Sequence, residues 1–560
     1  MTDPDPTLDS DFAARVRAAL DSEVRAIVTE SGGGAWPLLE HRRLAERVKT
    51  LVAAWRTTGD AGLLGHAARL TGLLRDRQNP SGLFRGGDNV DSPPDSAFSV
   101  NDLADAAWLL RDATDEVARR LADRLGSVLA AVTPALINGG VHTPNHRWEL
   151  SAALARLHRL APRPALAQRV GQWLAEGVDI EDGLYSERSA NYAAHVSNPS
   201  LLTIAEVFGR PALLDAVEEN LTATLDLLLP DGTVETVLSR RQDQRHPIPL
   251  RAYLLPLRAM AVLRGRGDLA WAAGLALDQG IDSPGSAATA LLLHPVVGRA
   301  LPPPVEPARP RRRHFAAAGT LVSHGPATTA VVFGGSDHAR HGRIRSGLAN
   351  SPTFLRLYAG AAVLDSVRLS RTFFGLGPFR SDGLALESGP SAVLSETVSA
   401  AYYQPLAVPD RDGRGRYGLG DDGRFSAAMA FGRRPRDEVA LTTGIRVTLT
   451  ETGADLVMDV SGAVVDWALE LAFRPGGTMT GARDLGGGRW RLDAGTAAYR
   501  VGGDELRVTV TEAAATPAES EPGYHPGEEY EFLGGTDAAG GERLYVSGKA
   551  PARLRLRISA

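Results

Sequence analysis

The sequence predicts a multidomain α and β chain, with an N-terminal incomplete α/α toroid followed by a C-terminal antiparallel β-sandwich. Three observations lead there. Helical periodicity dominates before residue 300, a proline- and arginine-rich stretch interrupts the chain at 301–313, and period-two alternation dominates after it. A chain of 560 residues is also too long for one hydrophobic core.

The helical part, residues 1–300, opens with Phe12, Val16, Leu20, Val24 and Ile27, which recur at steps of three and four and share one helix face. Similar stretches run through 41–55, 60–76, 101–133, 148–160, 164–176, 191–208, 211–228, 249–264 and 268–278. Many are short and joined by turns such as Pro230-Asp231-Gly232. About ten helices in antiparallel pairs suit hairpins stacked around an axis, which is the toroid arrangement. Residues 301–313, LPPPVEPARPRRR, favour neither helix nor sheet and read as a linker. In 314–560 the runs TTAVVFGG, TFLRLYAGAAVLDS, VALTTGIRVTLTET, DLVMDVSG, DWALELAF, WRLDAGTAAYRV, ELRVTVTEA and RLRLRISA read as strands between Gly- and Asp-rich turns. Strands without intervening helices indicate an antiparallel sandwich. Residues 515–530, rich in Pro, Glu and Gly, read as a long surface loop.

Composition narrows the function. With 43% hydrophobic and 23% charged residues the chain is an ordinary globular protein. It has no cysteine, which excludes disulfides, thiolate metal sites and a cysteine nucleophile. The first thirty residues lack the basic start and apolar run of a signal peptide, and no stretch has transmembrane length, so a cytoplasmic enzyme without a membrane partner is expected. The net charge of −5 argues against nucleic acid as a partner. Of 61 basic residues only Lys49 and Lys549 are lysines, so a bound anion is expected to meet arginine forks.

Four segments carry residues suited to chemistry. In NGGVHTPNHRWELSAALARL, residues 138–157, a polar turn leads into a helix start near Pro144 or Asn145. Asn145, His146 and Glu149 lie three and four apart there, beside free N–H groups that favour a carboxylate ligand. An Asn cap, an exposed His and a packed Trp148 are the structural alternative. In DGLYSERSANYAAHVSNPSLL, residues 182–202, Tyr192 and His195 share a helix preceded by Ser186-Glu187-Arg188-Ser189, and a tyrosine hydroxyl that simply finds a partner is the alternative. In ETVLSRRQDQRHP, residues 235–247, Arg240, Arg241, Gln242 and Arg245 form a dense group of donors, suited either to a ligand carboxylate or to ion pairs between elements. In residues 334–366, His338 and His341 with Arg340, Arg343 and Arg345 occupy a connection between strands. Histidines three apart among arginines make a poor zinc signature, and the loop reads instead as reaching toward a neighbouring domain's cleft.

Together these segments resemble the heparinase II/III-like polysaccharide lyases, a group that includes alginate and oligo-alginate lyases. The resemblance rests on NHRWE opening a helix, on Glu187, Ser189 and Tyr192 as E-x-S-x-x-Y, and on a His-containing connection before AAVLDS. It implies β-elimination at a uronic acid within an oligo- or polysaccharide. Asn145 and His146 then match the residues that neutralise the C5 carboxylate, with Glu149 orienting His146, and Tyr192 matches the general acid and, in syn elimination, the base. His341, or failing that His338, matches the β-domain histidine that completes the cleft. Arg188, Arg240, Arg241, Gln242, Trp148, Glu149 and His338 are the expected substrate contacts. No cofactor or metal is required by this chemistry, although some relatives carry a structural metal in the sandwich. The chain departs from the family in HARHGRIRSGLANS, which is arginine-rich with Asn350 as the one amide in the expected place. The sugar, the syn or anti course, the oligomeric state and endo or exo action stay open, exolytic cleavage of imported oligosaccharides being the expectation without a leader.

Two rivals remain. A glycoside hydrolase on the same toroid needs two carboxylates across a cleft, for which GGDNVDSPPDSAF offers Asp88, Asp91 and Asp95. Turn chemistry and helix capping by Asp95 or Ser96 are the structural reading of that loop. The other rival is a non-catalytic carbohydrate-binding relative.

Overall fold

The computed structural model describes residues 8–32, 34–341, 347–387, 389–527 and 540–560. By contacts the chain divides into two compact units. One holds the chain up to Leu228 with Gly232–Val234 and Ile248–Pro307; the other holds Leu229–Asp231, Glu235–Pro247 and Ala308–Ala560.

The first unit is helical, with α1 (Ser10–Gly32), α2 (His41–Thr58), α3 (Ala61–Asp76), α4 (Pro93–Leu110), α5 (Glu116–Asn138), α6 (Pro144–Leu160) and α7 (Pro164–Ala175). It continues with the single turn α8 (Ala190–Tyr192), then α9 (Asn198–Phe208), α10 (Ala212–Asp226), α11 (Leu254–Arg264), α12 (Gly267–Asp278) and α13 (Pro284–Leu293). Prolines start α4, α6, α7 and α13, where a missing N–H costs no hydrogen bond. Gly209 and Gly265 stop α9 and α11 in the left-handed conformation, φ +60° and +66°. Helices α2, α4, α6 and α9 pack side by side in succession, backed by α3, α5, α7 and α10, and α13 packs on α2. These are the stacked hairpins of the expected toroid. The stretch read as one helix over 101–133 is two, α4 and α5, parted at Arg111–Asp115, and α13 went unread because its Ala- and Leu-rich run has no polar face.

Helix α4 is buried on nearly all sides, polar residues included. Those groups are paired, as burial of charge demands. Asn101 Nδ2 donates to Glu149 Oε1 at 2.6 Å, and Arg156 Nη1 donates to Asn101 Oδ1 at 2.9 Å. Arg156 and Arg159 share Asp105 at 3.0 and 2.7 Å, while Lys49 pairs with Asp102.

The second unit is built on two sheets. One has nine strands in the order 483–486, 489–491, 543–549, 466–473, 362–371, 355–359, 329–333, 320–324 and 311–315. The other has eight, in the order 384–386, 391–403, 436–449, 453–462, 552–559, 504–512, 495–501 and 478–480. All pairings are antiparallel except that of 489–491 with 543–549, which is parallel. The core draws Leu355, Leu369, Trp467 and Leu471 from one sheet and Ile445, Leu456, Tyr499 and Leu556 from the other. Strand 436–449 alternates buried and exposed residues from Leu441 on, which is why it was readable. Strand 391–403 was not, being a Ser-, Ala- and Thr-rich run without strong contrast. The linker read over 301–313 ends inside a strand, since Arg311, Arg312 and Arg313 open the strand Arg311–Phe315.

Between α10 and α11 the chain contributes Leu229–Asp231 and Glu235–Pro247 to this second unit. Asp231 pairs there with Arg474 at 2.8 Å, and Glu235 lies 3.6 Å from Arg356.

Candidate active site

Two segments of the helical unit meet at one carboxylate. Thr143, the cap residue of α6, makes no side-chain cap. Instead Glu187 Oε2 accepts from the Asn145 backbone N–H at 3.0 Å and from Asn145 Nδ2 at 2.6 Å. Both residues are buried. The sequence reading expected a ligand carboxylate at this helix end; the protein's own Glu187 occupies it, drawn by the same free N–H groups. One N–H of the Asn145 amide is thereby committed and one is left. The Asn145 Oδ1 is buried without a hydrogen-bond partner.

Glu187 begins the turn that delivers Tyr192. Arg188 has φ +50°, a conformation that residues with a Cβ rarely adopt, and its N–H donates to the Tyr185 carbonyl at 2.7 Å. Ser189 Oγ accepts from the Tyr192 N–H at 3.1 Å and so caps α8. A π-helical turn, Ala193–Ser197, follows before α9, a feature frequent at functional sites. The turn is braced from behind. Tyr253 donates its hydroxyl to the Ala190 carbonyl at 2.7 Å. Tyr185 donates to Asn198 Oδ1 at 2.8 Å, Asn198 to Asn220 Oδ1 at 2.9 Å, and Asn220 to the Gly183 carbonyl at 2.9 Å. Burial pushes the Tyr185 hydroxyl far above the usual phenol range, so it stays a donor. Tyr192 and Arg188 are half-buried.

His146 is buried with its ring edge-on to His142 at 4.7 Å and to Phe98 at 6.4 Å. Glu149 does not orient His146: its carboxylate is held by Asn101, and burial raises its pKa to about 7 against the pull of that bond and of Arg156. Trp148 is no platform for a sugar either. It is 3% exposed, packed inward with the Arg147 guanidinium 4.8 Å from its ring.

The loop offered for a hydrolase is used structurally. Arg42 pairs with Asp95 and lies 3.5 Å from Asp88, and Asn79 donates to Asp91. Asp95 also accepts from the Asn89 N–H at 2.8 Å. The cap of α4 is Ser92, accepting from the Asp95 N–H at 3.1 Å, rather than Asp95 or Ser96.

In the second unit His338 and His341 begin and end one helical turn. Asp337, just before it, receives Arg240 Nε and Nη2 on its two oxygens, each at 3.0 Å. Asp337 also accepts from the Ala349 N–H at 2.8 Å, and its carbonyl accepts from the His341 N–H at 3.0 Å. The fork of Arg240, expected to meet a ligand carboxylate, therefore holds a protein carboxylate. Gln244, unread in the sequence, is the second brace: its Oε1 accepts from the Asn350 N–H at 3.2 Å and its Nε2 donates to the Arg241 and Leu348 carbonyls at 3.0 and 3.3 Å. Arg380 Nε donates to the Asn350 carbonyl at 2.8 Å, while both amide atoms of Asn350 are buried without hydrogen-bond partners. His338 is half-buried; burial, then Arg380 and Arg371, lower its pKa to about 4, so its imidazole is neutral at neutral pH. His341 and Gln242 are exposed and Arg241 is half-buried. Arg343 and Arg345 lie outside the described residues. Among the described residues no three His, Asp or Glu side chains converge as a metal site, and no helix is long and apolar enough to cross a membrane.

Solved structures share this fold. Heparinase III matches with a TM-score of 0.52 at 12% identity, over 92% of this chain and 76% of that one. Streptomyces coelicolor A3 chondroitin AC lyase, solved in complex with chondroitin sulphate, matches with 0.52 at 18% identity, over 100% and 80%. Paenibacillus xanthan lyase matches with 0.54 at 10% identity, over 98% of this chain and 56% of that one. No family model matches the sequence, and no curated protein does.

Proposed function

We propose that this chain is a lyase that cleaves a uronic-acid glycosidic bond in a polysaccharide or oligosaccharide by β-elimination. The observation that carries the reading is the pair of hydrogen bonds from Asn145 to Glu187, which ties the start of α6 to the turn bearing Tyr192. The fold shared with lyases of heparin-like, chondroitin and xanthan polymers supports it.

The chemistry follows from the residues. The C5 proton of a uronate leaves only when the charge of the adjacent carboxylate is offset, so that the enolate-like intermediate is stabilised. The uncommitted N–H of Asn145 and the imidazole of His146 are the groups for that task. A base removes the C5 proton, its electron pair forms the C4–C5 double bond, the C4–O bond breaks, and the departing oxygen takes a proton from the Tyr192 hydroxyl. In the syn course Tyr192, as phenolate, is also the base. His341 or His338 is the candidate for that base in the anti course.

The test is the product. Elimination yields a conjugated, ultraviolet-absorbing uronate, and hydrolysis yields only reducing ends. Wild-type protein is expected to produce the chromophore from at least one uronate polymer. Tyr192→Phe is expected to lower kcat by about 10²–10⁴-fold with substrate affinity retained, as for loss of a proton-transfer group. Reducing ends without the chromophore would sink the reading. A non-catalytic binder would show affinity and no turnover in both proteins.

A further inference from the structure

Phe374, Tyr402 and Phe425 are the exposed aromatic side chains among the described residues, with 36%, 61% and 45% of their surfaces open, and they gather in one place on the second unit. The rings of Phe374 and Tyr402 lie 5.9 Å apart. The Arg424 guanidinium sits 5.0 Å from the centroid of Phe374 and 5.0 Å from that of Phe425. It is fixed there by the Ala401 carbonyl at 3.3 Å and by Asp422 at 3.5 Å. Buried rings seat the exposed ones, Phe373 beside Phe374 at 4.9 Å and Phe431 beside Phe425 at 5.7 Å.

The patch has its origin in an unusual connection. Strands 391–403 and 436–449 form a hairpin whose last pair is Tyr403 with Arg436, so 404–435 is its loop. It carries a short hairpin of its own, Gly420–Asp421 with Ser426–Ala427, and loops on a rigid scaffold are where binding groups often sit. This one holds six arginines against four aspartates on a chain of net charge −5. Three of the aspartates accept from backbone N–H groups: Asp412 from Arg414 and Arg416, Asp421 from Gly423, and Asp422 from Arg424 and Phe425, while Asp422 also holds the Arg424 guanidinium. The side chains of Arg414 and Arg416 are exposed.

Exposed rings interleaved with guanidinium groups suit one kind of ligand. A pyranose offers a C–H face that stacks on a ring, and a sugar acid offers a carboxylate or sulfate that pairs with arginine. Rings with arginine also occur at protein interfaces; the excess of arginine over aspartate in this loop, on an acidic chain, favours an acidic glycan. We propose that Phe374, Tyr402, Phe425 and Arg424, with Arg414 and Arg416, form a binding surface for an acidic polysaccharide, distinct from the groups that carry the elimination. The choice of an acidic polymer rests on the function proposed above. The segment bearing Phe374 is joined to the His338 segment by hydrogen bonds. The connection that holds Phe374 runs on to Arg380, bonded to the Asn350 carbonyl, and to Asp382, which bridges Gly335.

The test is electrophoresis of the full chain through gels containing alginate, polygalacturonate or chondroitin sulfate, with a neutral glucan as control. Wild-type protein is expected to be retarded by at least one acidic polymer and not by the glucan. The triple variant F374A/Y402A/F425A and the double variant R414A/R416A are expected to lose that retardation. The triple variant is further expected to keep wild-type kcat/KM on short oligosaccharides while its KM for polymer rises about tenfold, the loss of modest stacking at several rings. Three results would overturn the proposal: no retardation of wild-type protein, equal retardation of the variants, or a self-association of wild-type protein that the triple variant abolishes. Retardation needs no turnover, so the two readings fail separately. Retardation lost in the variants without any unsaturated product sinks the lyase and keeps the surface. Unsaturated product from polymer with unchanged variants does the reverse.

Discussion

The turn that carries Tyr192 and the turn that carries His338 are both short, polar and irregular, yet they are held in opposite ways. The first is braced by dispersed bonds: Glu187 to Asn145, Tyr253 to the Ala190 carbonyl, and the chain Tyr185–Asn198–Asn220. The second centres on one bidentate ion pair, Arg240 with Asp337, helped by the Ala349 N–H on Asp337, by Gln244 and by Arg380. A dispersed brace gives way bond by bond. A concentrated one stands or falls with a single side chain, because removing one partner of a buried pair leaves a charge uncompensated.

The largest expected effect lies in the second turn. Arg240→Ala leaves the buried Asp337 without its fork, and urea unfolding should show a loss of about 3–5 kcal/mol. Arg240→Lys should recover little, since an ammonium cannot span two oxygens. Adding Asp337→Ala to Arg240→Ala should restore much of the loss, and no recovery in that double variant would break the comparison. The pH dependence of stability is expected to come next. Glu149 is raised from the ordinary 4.5 to about 7, so the folded chain holds that proton where the unfolded chain has released it. Its contribution is full below pH 4.5 and is lost as pH rises toward 7, by a few kcal/mol at most. Glu149→Gln keeps an acceptor for Asn101 and should flatten the melting temperature across that window; an unchanged slope would show that Glu149 is not the titrating group.

In the first turn, Glu187→Ala should lower stability by about 1–3 kcal/mol, the cost of leaving the Asn145 donors unmet. The same change should lower kcat/KM for elimination more than Tyr253→Phe, and the reverse order would mean that the two braces are ranked wrongly. The smallest effect is expected at Asp88, exposed beside Arg42. Asp88→Asn should change stability by less than about 0.5 kcal/mol and leave turnover intact. A loss of turnover there would revive the hydrolase.

Much of the fold was legible because its signals are local. Periodicity marked α2, α3, α6 and α7 to within a few residues, and alternation marked strand 436–449. The candidate site was legible as a set of residue types, NHRWE and ESxxY, but not as a set of bonds. Arg240 and Asp337 are 97 residues apart, and nothing in RRQD says that its fork is already taken. Trp148 and Glu149 failed for a related reason. Their spacing from Asn145 was right for a shared helix, but a helix that is buried nearly all round sends half of such neighbours into the core. In RRQD the fork of Arg240 is taken by Asp337, whereas Arg414 and Arg416 in 404–435 have exposed side chains.

The excursion of Glu235–Pro247 into the second unit has a consequence for how this chain can be divided. A cut at the proline-rich stretch would look natural, yet a fragment beginning at residue 308 would lack Arg240, Gln244 and Glu235. Asp337 would then lose its arginine fork and Arg356 the Glu235 carboxylate. The β half is thus not an exchangeable module, and recombination at that junction is expected to yield insoluble halves.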